Sequence, residues 1–188
     1  MRHFSFRPSF TIRGRTNKGL RGFAGKPLHP PLTDIPIGAY ILSFALDVIA
    51  VIGRKENWGI EYYHAATYVL IGGAIVSVFA ALTGFWDWWK SSEAGTQARR
   101  TINAHAWIMI VVTLLVLVDI TQRLGDNYHF RGCATPLAFV LSALVAVFVS
   151  VGATYGGTMV FDYGFNVETA GDSPVWHTSE TDVMPGQK

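Results

Sequence analysis

Two histidines with carboxylates nearby are the first residues in this sequence that could do chemistry. His29 lies in GKPLHPPLTDIPIG, directly ahead of an apolar run, and His105 opens a later one. Asp34 follows His29, and Asp87 sits in WDWW at the end of another apolar run. Two imidazoles from separate segments, with Asp34 and Asp87 as the nearby carboxylates expected to hold their second ring nitrogens, have the elements of a haem b or metal ligand set. Interfacial hydrogen bonding between helices is the plainer use of the same groups. Pro27, Pro30 and Pro31 flank His29, and such stiffening lowers the entropy lost when a side chain is held in one place. Asp34, with Pro36 after it, is expected to cap the first helix, with Thr33 as the alternative cap.

A second set lies toward the other ends of the runs. Asp47, His64 and Asp119 reach similar depth and would form one polar cluster between helices, able to relay protons, hold an ion or join helices. Arg123 follows Asp119 by four residues, the spacing of a local ion pair on one helix face.

The elements that must position these groups are four apolar runs, residues 35–52, 62–85, 104–120 and 137–160. At about 1.5 Å per residue, about 20 helical residues cross a hydrocarbon core of about 30 Å. The second and fourth runs suffice; the first and third are short and call for local thinning or snorkelling. A soluble bundle would need polar stripes at helical spacing, and LAFVLSALVAVFVSVGA has none. The fold class is therefore an all-α membrane protein, four transmembrane helices in an antiparallel bundle over residues 34–161. A flexible basic tail and Pro-rich loop (1–33) precede it, and a flexible acidic tail (162–188) follows. Gly152 and Gly156 form G-x-x-x-G in the fourth run, a flat surface for close helix packing, with Gly72, Gly73 and Ala74 as its expected counterpart.

Lysines and arginines mark the sides. Seven lie in the N-terminal tail and three in the second loop, so that side, holding both termini, is read as cytoplasmic. Arg54, Lys55, Arg123 and Arg131 are assigned to the opposite side. Trp58, Trp86, Trp88, Trp89 and Trp107 fall near span ends, as an interfacial belt requires. Residues 1–33 contain no acid and suit an arm on anionic headgroups, a docking arm for a larger complex, or a targeting segment. The two tails have opposite charge and are expected to attract weakly.

One cysteine, Cys133, allows no intrachain disulfide, thiolate zinc site or iron–sulfur cluster. No apolar stretch in the first thirty residues resembles a cleavable signal, and no H-E-x-x-H or nucleophile elbow occurs. A non-enzymatic role is expected, with the lipid bilayer and other membrane subunits as partners and no nucleic acid.

KPLHPPLTDIPIG, LTGFWDWW, a histidine opening the third run and YGGTMVFDYGFNVE after the fourth together resemble the bacterial membrane family known as domain of unknown function 2231. The resemblance covers about residues 24–168. It implies a four-helix domain of the bacterial inner membrane with His29, Asp34, Asp87 and His105 at motif positions. FDYGFNV departs from the family's more usual tyrosine-x-x-glycine ending. Some members are joined to a Rieske iron–sulfur domain, which points to membrane electron transfer. The expected function is thus an accessory or scaffold subunit of a redox or respiratory membrane complex. The alternatives are a haem b electron-transfer protein using His29 and His105, and a small proton or ion translocator using Asp47, His64 and Asp119.

Overall fold

A computed structural model describes residues 27–125 and 133–166, which form four long helices and no extended strand. They are α1 (His29–Ile52), α2 (Asn57–Ser91), α3 (Gln97–Leu124) and α4 (Pro136–Phe161). All four are long and apolar enough to cross a membrane. Each runs past the apolar stretch that announces it. Hydropathy marks only the part lipid must solvate, whereas the backbone ladder continues through polar residues at the ends. The tails and their expected attraction lie outside the described residues.

The start of α1 differs from expectation. Neither Asp34 nor Thr33 caps it: the helix begins at His29, behind Leu28, which makes no side-chain cap bond. Pro30 and Pro31 occupy the first turn, where a missing N–H costs nothing, and Pro36 falls inside the helix. The HPP segment is therefore helix rather than loop. Conventional caps appear elsewhere. Thr96 accepts from Arg99 N at 3.1 Å to open α3, and Thr135 accepts from Ala138 N at 3.1 Å, with Pro136 next, to open α4.

Contacts fix the register. His29 meets Ala80 and Ser43 meets Ala66, so residue numbers rise on α1 as they fall on α2. His105 meets Gly152 and Gln122 meets Thr135, the same relation between α3 and α4. His29 pairs with His105, and Asp47 with Arg123, at the same 76-residue offset. Close packing at α1/α2 needs Gly73, where a Cβ would lie 2.7 Å from that of Ala39. Gly152 packs on Met109 and Ile108 of α3, so its partner is α3 rather than the Gly72–Ala74 surface; beside Gly72 there is open space. Between the two polar ends lies a dry layer of Tyr40, Leu70, Val112, Val116, Val145 and Val149. Ile75, Leu82, Phe85, Leu114 and Val147 point outward and are more than half exposed, which only a lipid surround makes favourable over so much area.

Candidate functional site

The first turn of α1 and the first turns of α3 carry His29 and His105 to one end of the bundle. Their ring centres are 6.4 Å apart and the planes cross at 86°. Each ring is held chiefly by a backbone carbonyl of its hairpin partner. His29 Nδ1 donates to the Ala80 carbonyl of α2 at 2.8 Å, and His105 Nδ1 donates to the Gly152 carbonyl of α4 at 2.8 Å. A carbonyl only accepts, so Nδ1 carries the proton in both rings. In a neutral imidazole the lone pair then belongs to Nε2, the tautomer that ligates through Nε2.

The seats beneath the two rings are built alike. A helix carbonyl already accepts from the N–H four residues on, and the side chain at that position crowds any second donor. Four residues after Ala80 stands Gly84, and four after Gly152 stands Gly156. A Cβ at Gly84 would lie 2.6 Å from His29 Cε1 and 2.9 Å from Nδ1. At Gly156 the distances to His105 are 3.6 and 3.8 Å, ordinary contact. Thr83 adds a hydroxyl that donates to Phe79 O at 2.9 Å and Ala80 O at 3.0 Å, with 3.5 Å to His29 Nδ1.

Of the expected carboxylates, Asp87 is buried and within electrostatic reach of His29. Asp34 is exposed on α1, five residues beyond His29, and so turned well away from it. The rim of this end is aromatic and basic. Trp88 Nε1 donates to Asn103 Oδ1 at 2.8 Å, joining α2 to α3. The Arg99 guanidinium lies 3.9 Å over the Trp88 ring and caps the last carbonyls of α2, Trp88 O at 3.1 Å and Ser92 O at 3.2 Å.

At the opposite end Asp47 and Asp119 do converge, on Arg123 rather than His64. The guanidinium gives all five N–H donors to named acceptors: Nε to Asp119 Oδ1 (2.8 Å), Nη1 to Asp47 Oδ1 (3.1 Å) and Thr67 Oγ1 (3.3 Å), Nη2 to Asp47 Oδ2 (2.5 Å) and Asp119 Oδ2 (3.2 Å). All three charged side chains are 0% exposed. Arg123 therefore belongs to the interior and not to a loop, and the Asp119–Arg123 pair does not snorkel. His64 lies beside Tyr63, ring centres 6.4 Å apart, while the Tyr63 ring faces the guanidinium at 5.1 Å. Three helices are thereby tied at one point.

The profile of a family described as a predicted membrane protein, DUF2231, matches residues 25–169. The chain belongs to the DUF2231 family. No curated protein and no solved structure matches it. In this DUF2231 chain the segment LTGFWDWW supplies Thr83 and Gly84 to the seat of His29, and YGGTMVFDYGFNVE supplies Gly156 under His105. Reading the sequence singled out both histidines and missed Gly84, although a lone glycine inside an apolar helix is itself a signal of close approach. It also placed Arg123 only as a local partner of Asp119; nothing in a helical period reveals a contact 76 residues away.

Proposed function

We propose that this multi-pass membrane protein is the redox-carrying subunit of a larger membrane assembly, in which His29 and His105 are the side chains that would hold haem b. The observation that carries the reading is the pair of rings 6.4 Å apart with both Nδ1 atoms committed to backbone carbonyls. An imidazole nitrogen sits about 2 Å from a ligated metal and about 1 Å from its own ring centre, so two imidazoles across one metal have centres about 6 Å apart. Among the described residues no group of three or more His, Cys, Asp and Glu side chains could hold a bare ion. Two imidazoles do not complete a metal's shell alone, whereas a macrocycle brings four nitrogens of its own. The chain's part is to fix tautomer and ring orientation through Ala80 and Gly152, and to keep the site in an apolar bundle that tunes potential.

The charge distribution of the sequence supports an inner-membrane location with the histidine end and both termini on the cytoplasmic side. Burial of Arg123 removes one of the four cations counted for the other side and deepens that asymmetry. Translocation through Asp47 and Asp119 is the weaker reading, because the apolar layer from Tyr40 to Val149 separates the carboxylates from the histidine end.

The test is the reduced-minus-oxidised absorption spectrum of the protein purified in mild detergent from cells supplied with haem precursor. A Soret and α-band pair is expected; His29→Ala and His105→Ala each lose its six-coordinate low-spin form, and the double variant loses the Soret band. A wild-type protein without a Soret band overturns the proposal.

A further inference from the structure

The two histidine seats share one plan but differ in tightness, and the difference assigns unequal roles. A Cβ at Gly84 would press into His29 at 2.6, 2.9 and 3.1 Å from Cε1, Nδ1 and Nε2, while one at Gly156 would touch His105 at ordinary distance. We propose that Gly84 is the positioning residue of the site. Its bare Cα is the surface on which the His29 ring lies so that Nδ1 reaches the Ala80 carbonyl. This inference rests on the haem reading above.

The physical argument has three steps. First, the Ala80 carbonyl is the acceptor of its own helix ladder as well as of the Thr83 hydroxyl at 3.0 Å and His29 at 2.8 Å; a helix carbonyl takes additional donors only where nothing covers its outer lone pair. Second, the residue covering it is the one four places on, Gly84, because every Cβ on a helix leans toward the N-terminus and over the turn before it. Third, the imidazole sits in the first turn of α1, the helix packed most intimately on α2, with the His105 ring centre 6.4 Å away. A methyl group at Gly84 therefore pushes the ring off this surface and away from the Ala80 carbonyl. The same methyl at Gly156 is absorbed, which makes His29 the fixed ligand and His105 the one with play.

The experiment compares wild type, Gly84→Ala, Gly156→Ala and Gly72→Ala in the full-length protein. Gly72 is on the same helix with nothing within 4 Å, so its replacement reports the change in helix propensity alone. The readouts are haem-to-protein ratio and the low-spin, six-coordinate signature in optical and electron paramagnetic resonance spectra. Gly72→Ala and Gly156→Ala keep the wild-type signature. Gly84→Ala lowers the six-coordinate fraction by about 10- to 100-fold, the loss typical of a disrupted ligand support, leaving five-coordinate haem on His105 that added imidazole returns to low spin. A wild-type spectrum in Gly84→Ala overturns the inference while leaving the haem reading intact; no haem in wild type overturns that reading first. A folding readout covers the remaining case. Gly84→Ala combined with His29→Gly has no ring to collide with and is expected to match His29→Gly in thermal stability. If the double variant is instead as unstable as Gly84→Ala alone, Gly84 does not serve His29.

Discussion

Arg123 grips Asp47 in a two-bond fork, Nη2–Oδ2 at 2.5 Å and Nη1–Oδ1 at 3.1 Å, between α3 and α1 and wholly out of contact with solvent. The cost of such a pair lies in desolvation, and its strength shows when one member is removed. Asp47→Ala is expected to destabilise the fold by about 3–5 kcal/mol, because a guanidinium is left short of acceptors in a dry site. Unfolding in mixed micelles with increasing denaturing detergent measures this.

Replacing the whole set behaves differently. Asp47→Leu, Asp119→Leu and Arg123→Met together leave no orphaned charge. They are expected to come within about 1–4 kcal/mol of wild type or exceed it. The same titration gives the answer. A triple variant worse than Asp47→Ala would show that the carboxylates do more than pin helices.

Neutralising the carboxylates separates pinning from transport. Asp47→Asn with Asp119→Asn is expected to lower stability yet leave proton flux in proteoliposomes unchanged, since the layer between the two ends is Leu70, Val112, Val116, Val145 and Val149, with the Tyr40 hydroxyl as the polar group of that cluster. A fall in flux that follows the double substitution refutes this.

Glycines with different neighbours predict different outcomes. Gly59→Ala drives a Cβ into the Gly53 carbonyl of the tight α1–α2 connection, a backbone atom that cannot swing aside. Gly73→Ala meets Ala39 Cβ at 2.7 Å, and is expected to cost about 1–3 kcal/mol as overpacking. Gly72→Ala meets nothing and is expected to be neutral or stabilising by up to about 1 kcal/mol. Thermal unfolding of the three in one detergent gives the order.

Cys133 is the chain's single thiol and is exposed, just ahead of α4 at the end that holds Arg123. A membrane-impermeant maleimide is expected to label it from outside intact spheroplasts. Labelling only after lysis would reverse the orientation.

The four spans were legible in the sequence because lipid demands the same thing of every outward position, and a run of apolar residues records that demand directly. The histidine end was partly legible: His29 and His105 stand out as the histidines nearest the starts of the first and third runs, and the structure brings them together. What hydropathy does not encode is which way a helix is turned. Asp34, close to His29 in number, faces away from it, while Arg123, which looked like a residue of the surface, is the largest fully buried side chain among the described residues. The start of α1 was misplaced for a related reason. Two signals of a helix beginning occur six residues apart, and Pro30–Pro31 wins over Asp34–Pro36 because helical φ is already set there.

α2 has 35 residues, about 52 Å of helix against about 30 Å of hydrocarbon. α2 still lies against α1 at Gly84, beneath the His29 ring, so residues 85–91 continue about 10 Å past the first residue of α1. That overhang, carrying Trp86, Trp88, Trp89 and Lys90, acts as a mast. Its indoles and Lys90 stand beyond the imidazole pair, on the far side of Gly84.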